Sequence, residues 1–188
     1  VETLLHPLIC FMGPSASGKT FISEKIFQKT QKVITTTTRP KRPAEKNGQD
    51  YYFIRSETFQ EKMSAGEFFE TDQYADQYYG TERQEVLNRT NYRTAFAIVT
   101  VPGFYHLQSQ IFPIVPVYLQ IDEKTFLRRL KRRELPVEET KKRVALFKEE
   151  TAQLTELKKN VPNLIVMDNT NDPALTIYHL KERLRLYR

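Results

Sequence analysis

The sequence predicts an α/β fold built on a mainly parallel sheet with helices on its faces, and three observations carry that expectation. The first is the opening. The apolar run Leu8-Ile9-Cys10-Phe11-Met12 stops at Gly13, and from Thr20 onward Phe21, Ile22, Ile26 and Phe27 recur at helical spacing, so the chain reads strand, glycine loop, helix. The second is a pair of apolar runs, Ala95 to Val101 and Ile114 to Ile121, rich in the β-branched and aromatic residues of strands covered on both faces. Leu164 to Met167 is a shorter run of the same kind. The third is what separates and follows them: Glu123 to Arg133, Glu138 to Lys158 and Pro173 to Leu186 have helix-forming composition and 3.6-residue apolar spacing. Strands alternating with helices imply parallel pairing through helical crossovers.

From about Thr37 to Asn91 the rhythm breaks. Pro40, Pro43, the Asn47-Gly48 pair, many tyrosines and short alternating runs around Tyr51 to Ile54 and Glu67 to Tyr74 predict a small mixed α/β subdomain inserted between two core strands. The expected division is a first core part over 1–36, the insertion over 37–92, and a second core part over 93–188. No internal repeat is visible, which removes solenoid architectures.

Composition narrows the function classes. With 188 residues, 39% hydrophobic and 28% charged, the chain is unlike disordered or fibrous sequences. Its longest apolar runs fall far short of the roughly 20 residues of a spanning helix, so no membrane partner is expected. Cys10 is the single cysteine, and the N-terminal residues lack the charged and then apolar pattern of a secretory leader, so a reducing cytoplasmic setting is expected. His6, His106 and His179 are scattered, which gives zinc no chelating cluster. Twenty-nine basic residues against 23 acidic ones give a net charge of +6, which favours phosphorylated or polyanionic partners.

Gly13-Pro14-Ser15-Ala16-Ser17-Gly18-Lys19-Thr20 is the pattern of two glycines four residues apart followed by Lys and Thr, placed between a strand and a helix. The glycines let backbone amides turn inward around a polyphosphate, the helix adds its unsatisfied N–H groups, and Lys19 reaches the terminal phosphates. Thr20 would offer its hydroxyl to Mg²⁺ arriving with ATP. An ordinary glycine-rich turn is the alternative, and the flanking strand and helix argue against it. The motif implies a P-loop NTPase three-layer fold.

A second constellation follows, running from Thr35 to Phe53. Arg39 and Arg42 could converge on one anion, since each guanidinium holds a phosphate through two parallel hydrogen bonds. Tyr51 and Tyr79 could add phenolic donors, and Glu70, after Phe68 and Phe69, could accept hydrogen bonds from a base edge. The competing reading is a solvated basic turn with tyrosines packed for their apolar bulk.

In register, these residues resemble the guanylate kinase family, which transfers the terminal phosphoryl group of ATP to GMP. The resemblance spans nearly the whole chain and rests on Gly13 to Thr20, Thr37-Thr38-Arg39, Arg42, Glu45, Gly48, Asp50-Tyr51, Phe53, Phe69-Glu70 and Tyr79-Gly80-Thr81. It implies that Arg39, Arg42, Tyr51 and Tyr79 hold the GMP phosphate and that Thr35, Glu70 and Thr81 read the guanine. Thr35 and Thr81 stand where serine is common in the family, and both keep the hydroxyl. Guanine offers an N1–H and a 2-amino group on one edge, which a single carboxylate accepts together. Adenine presents an acceptor there and would meet Glu70 lone pair to lone pair, an unpaired arrangement that costs selectivity of several orders of magnitude. Glu45 is expected to orient an arginine or cap its loop, with an ordinary surface carboxylate as the alternative.

Arg128 to Arg133 holds five basic residues in six. A solvated helix face is the common reason for such a run. The resemblance instead places Arg129, Arg133 and Arg143 over the migrating phosphoryl group, with a basic lid at about 130–142; positive charge there stabilises transfer between anions. Lys19, Arg39 and these three arginines form the expected catalytic set. One stretch departs from the family: Ile98-Val99-Thr100-Val101-Pro102-Gly103 carries no acid where two aspartates are usual, and those acids help organise magnesium waters and the guanosine site. Asp122 is a candidate replacement, with a helix N-cap as its alternative. Met167-Asp168-Asn169 loosely resembles the adenine region. The expected activity is phosphoryl transfer from ATP to GMP or dGMP, by a monomer or homodimer that binds no nucleic acid. The rivals are an impaired guanylate-kinase-like interaction module and a nucleic-acid binder drawn by charge.

Overall fold

The computed structural model describes residues 1–74 and 76–187. In chain order it runs β1 (Glu2–Met12), α1 (Lys19–Ile26), β2 (Thr36–Thr37), β3 (Tyr52–Phe53), α2 (Ser56–Ser64), β4 (Phe68–Tyr74), β5 (Gln77–Glu82) and α3 (Arg83–Thr90). It continues with β6 (Ala95–Ile98), α4 (Val101–Gln110), β7 (Ile111–Gln120), α5 (Glu123–Lys131), α6 (Val137–Asn160), β8 (Ile165–Asp168) and α7 (Pro173–Arg183). No helix among the described residues is long and apolar enough to cross a membrane.

The core sheet has the order β6-β1-β7-β8 and every pair is parallel. Lys32 adds one parallel bridge beyond β6, against Phe96. Because successive side chains of a strand point to opposite faces, β1 feeds two cores. Leu8, Cys10 and Met12 pack with Val86 of α3, Phe104 and Leu107 of α4, and Leu154 and Leu157 of α6. Ile9 and Phe11 pack with Ile22 of α1 and with Leu180 and Leu184 at the end of α7. Both faces are therefore covered, as an all-parallel sheet requires, and the result is the expected α/β three-layer arrangement.

The second sheet is mixed and small, in the order β3-β2-β5-β4, with β2 parallel to β3 and antiparallel to β5. Its own core is aromatic: Phe59 of α2 stacks on Phe68 at 4.6 Å and on Tyr78 at 5.4 Å. Phe69 ties this sheet to the core, where its side chain packs with Leu8, Phe104 and Leu107. The Gln110 side-chain amide donates to the Phe69 carbonyl, and the Arg83 guanidinium lies 4.5 Å from the Phe69 ring centre.

Three elements depart from expectation. The strand expected over Ala95 to Val101 ends at Ile98, and an unforeseen helix, α4, begins at Val101. Thr100 caps it by accepting from the Gly103 N–H at 3.1 Å, and Pro102 sits in the first turn, where its missing N–H costs nothing. The β-branched run through Ile98, Val99, Thr100 and Val101 hid that cap. The helix expected to reach Leu186 ends at Arg183 and continues as a 3-10 turn over Arg185–Tyr187. Asp122 caps α5, accepting from the Thr125 N–H at 2.7 Å, so its carboxylate serves the helix end and does not replace the absent strand-end acids.

Candidate active site

The loop between β1 and α1 takes its shape from conformations that favour glycine. Gly13 has φ 137° and Gly18 has φ 91°; a Cβ at Gly13 would run into the Leu119 carbonyl oxygen, and one at Gly18 would lie 2.6 Å from the Asn169 amide nitrogen. Neighbouring elements then grip the loop. Asn169, just past β8, donates to the Ser17 carbonyl at 2.8 Å, and Arg129 of α5 donates to the Ala16 carbonyl at 3.0 Å and the Asn169 carbonyl at 2.8 Å. From α6, Arg143 donates to the Ser15 hydroxyl at 2.9 Å, while Glu150 accepts the Ser15 N–H at 3.1 Å. Lys19 turns its ammonium back onto the Gly13 and Pro14 carbonyls at 2.6 and 2.9 Å. Burial of that ammonium lowers its pKa to about 8; Glu150 opposes the shift and Arg133 adds to it. The Ser17 hydroxyl is fully buried inside the loop without a hydrogen-bond partner. A buried lysine and an unpartnered hydroxyl, in a loop leading into a helix N-terminus, are donors of the kind that fit phosphate oxygens.

Opposite the loop, the small sheet presents the second constellation. The Glu45 carboxylate holds Arg39 at 2.6 and 3.0 Å, and the guanidinium lies 5.3 Å from the Tyr51 ring centre and 5.6 Å from that of Phe53. The same carboxylate accepts the Arg42 N–H at 2.8 Å, so Glu45 both orients an arginine and closes its loop. The hydrogen bond to Glu45 raises the pKa of Arg39, keeping it charged. Tyr51 and Tyr79 meet edge to face at 6.1 Å. Across the β4–β5 register Thr81 pairs with Glu70, and its hydroxyl donates to one Glu70 oxygen at 2.5 Å. Burial raises the Glu70 pKa above the ordinary carboxylate value, against the lowering effect of the Thr81 bond. The carboxylate is thus fixed through one oxygen, leaving acceptor capacity for a base edge.

One cavity of about 480 Å³ joins the two halves. Its lining takes in Gly13 and Lys19 of the loop, Thr35, Tyr51, Glu70 and Tyr79 of the second constellation, and Thr100, Tyr118, Glu149 and Glu150. Arg39 lies against the Tyr51 ring; Arg42 is exposed on its loop, and the charges of both arginines lie near enough to act on Glu45 and Tyr51. Arg129, Arg133 and the loop's Ala16 and Gly18 line a separate cavity of about 340 Å³ with Phe21 and Asn169. Arg129 is engaged with the back of the loop, Arg143 with its front, and Arg133 lies near enough to Lys19 to oppose its charge. Thr20 is exposed at the start of α1.

Sequence reasoning missed Glu150 and Tyr118, whose hydroxyl donates to the Glu150 carbonyl at 2.8 Å. Glu150 lies 135 residues from its partner Ser15, and nothing in the local pattern of α6 separates it from its neighbour Glu149. Asn169 entered only through the loose resemblance of Met167-Asp168-Asn169 to the adenine region, which gave no sign of its bond to the phosphate loop.

The comparisons with known proteins agree with this geometry. The family model described as guanylate kinase matches residues 6–185. A guanylate kinase of Nostoc sp. is 41% identical over 85 residues, 44% of this chain and 43% of that protein's length, so the match spans less than half of that relative. The guanylate kinase of Sus scrofa is 29% identical over 184 residues, 94% of this chain and 90% of that protein. Among solved structures, the guanylate kinase of Anaplasma phagocytophilum superposes with a TM-score of 0.69 at 22% identity, covering 98% of this chain and 87% of its own, a likeness of fold. With a family model matched along all but the ends of the sequence, and a phosphate loop facing a carboxylate-bearing pocket, the chain belongs to the guanylate kinase family.

Proposed function

We propose that the chain transfers the terminal phosphoryl group of ATP to GMP or dGMP, giving ADP and GDP or dGDP. The observation that carries this reading is that one cavity is lined both by Lys19 of the loop and by Glu70 of the small sheet. The loop amides and Lys19 hold the donor phosphates. Tyr51 and Tyr79 face the acceptor phosphate, with Arg39 behind them and Arg42 swinging in from its exposed loop. Glu70, Thr81 and Thr35 read the guanine edge. A GMP phosphate oxygen attacks the terminal phosphorus of ATP in line, the bond to the bridging oxygen breaks, and ADP leaves with that oxygen's electron pair. Arg133, between α5 and α6, and Arg143, in the second turn of α6, offset the charge spread over the transferring group, and Arg129 holds the loop that positions it. The insertion over 37–92 and the lid at about 130–142 are the parts we expect to move together and expel water, which otherwise competes as acceptor.

Among the described residues no group of three or more His, Cys, Asp or Glu could hold a metal. A divalent ion would therefore enter on the triphosphate, with the Thr20 hydroxyl as its protein ligand, in keeping with the preference of Mg²⁺ for water and phosphate oxygens. When bound, Mg²⁺ would neutralise phosphate charge. The test is coupled ADP release with GMP, dGMP, AMP and UMP as acceptors. Turnover confined to the guanine nucleotides is the expected result, and ADP release indifferent to the acceptor overturns the reading.

A further inference from the structure

Glu150 lines the cavity, contacts the phosphate loop directly, and has no part in the transfer chemistry. Its carboxylate lies inside a loop shaped for anions and accepts the Ser15 N–H at 3.1 Å, a donor of the kind such loops turn toward phosphate. Its turn of α6 is anchored to the core sheet through the Tyr118 hydroxyl, 2.8 Å from the Glu150 carbonyl oxygen. Seven residues earlier on the same helix, and so two turns away on nearly the same face, Arg143 holds the Ser15 hydroxyl at 2.9 Å. Glu139 holds that guanidinium in turn at 2.7 Å. Ser15 is therefore gripped twice by α6, once through its backbone by a carboxylate and once through its side chain by a guanidinium.

We propose that Glu150 is a resident anion in the phosphate loop, a positioning residue that occupies the Ser15 amide until a triphosphate displaces it and thereby sets triphosphate affinity. The inference rests on the loop holding a triphosphate, as argued above. A phosphate oxygen and the carboxylate cannot share one N–H, and both are negative, so entry of the triphosphate expels Glu150. Arg143 stays at Ser15 with its charge turned toward the incoming phosphate. The swap links the seating of α6, and with it the segment joining α5 to α6, to occupancy of the loop.

Calorimetric titration of a non-hydrolysable ATP analogue with Mg²⁺, in the absence of GMP, tests this on the wild-type chain and on Glu150→Gln, Glu150→Ala and Glu149→Gln. The two Glu150 variants are expected to bind about tenfold tighter, and the Glu149 variant, which loses a neighbouring charge but no bond to the loop, to change less than about twofold. A structural role alone moves binding the other way, because a loosened loop holds phosphate less well. Unchanged or weaker binding by both Glu150 variants overturns the proposal, as does an equal gain in Glu149→Gln. If the wild-type chain takes up no analogue and a Glu150 variant does, the proposal stands in its strongest form. Absence of binding in all four chains overturns it together with the donor half of the functional reading, whereas binding without GMP transfer leaves it intact and removes only that function.

Discussion

At the donor end of the cavity the site is one unbroken stretch, Gly13 to Thr20, and two of its phosphate-binding groups are engaged with the protein itself. Lys19 bonds two carbonyls of its own loop, and Ser15 gives its amide to Glu150. At the acceptor end the groups come from separate segments, and two of them are already aimed by neighbours: Arg39 by Glu45 and two aromatic rings, Glu70 by Thr81. A ligand at the first end must exchange internal bonds for new ones, while a ligand at the second meets groups held in place before it arrives. Damage to the donor end should therefore remove transfer altogether, and damage to the acceptor end should alter which nucleotide is accepted and how tightly.

The sharpest way to break that contrast is Lys19→Ala. Removing the ammonium that follows the migrating charge should lower kcat/KM by about a thousandfold, with every acceptor affected alike. Steady-state kinetics with GMP and dGMP would read this, and a loss confined to the KM for GMP would contradict it. The next effect belongs to the opposite end. Glu70→Ala should reduce the preference for GMP over AMP by about a hundredfold, mostly through a higher KM for GMP, because the guanine donors lose their paired acceptor. Competition between the two nucleotides for ADP release measures it directly, and unchanged selectivity would remove Glu70 from the base site.

The same contrast explains what was legible in the sequence. The core alternation from β1 to α7 is written in local periodicity, and the donor loop is a contiguous motif whose chemistry follows from spacing. Arg39, Tyr51, Glu70 and Tyr79 could be singled out only by their joint resemblance to a family, since separately they look like a basic turn and packed tyrosines. The strand over Ala95 to Val101 was read too long because β-branched residues favour extended backbone, whereas the Thr100 cap and Pro102 decide the start of α4. Glu150 was illegible for a different reason. Its role depends on a contact across 135 residues, and in sequence it is one charge on a charged helix.

A third, smaller effect asks whether the acceptor end is held ready as described. Glu45→Ala leaves Arg39 over the Tyr51 ring but takes away the carboxylate that fixes its direction, together with the bond that closes the Arg42 loop. The KM for GMP should rise about five- to tenfold while kcat stays within about twofold, since a misdirected arginine weakens capture more than transfer. Equal losses in kcat and kcat/KM would mean that Glu45 acts on the transition state instead.

The mildest effect comes from pH and sets the two ends against each other. In the empty protein Lys19 loses its proton near pH 8, because burial disfavours its charged form. The neutral amine cannot hold a phosphate electrostatically, so kcat/KM for ATP should fall by about twofold between pH 7 and pH 8, while kcat, measured with phosphate bound and the ammonium restored, stays flat. Glu70 works in the opposite direction. Burial raises its pKa, so it takes up a proton at a higher pH than an exposed glutamate would, and the protonated acid no longer accepts both guanine donors. The KM for GMP should therefore climb on the acid side and the KM for ATP on the alkaline side. The phosphate of GMP also titrates in mildly acidic solution, so the acid limb must be compared with Glu70→Gln, which lacks the titrating carboxylate and keeps its size. A limb that persists unchanged in that variant belongs to the nucleotide, and one that flattens belongs to the pocket.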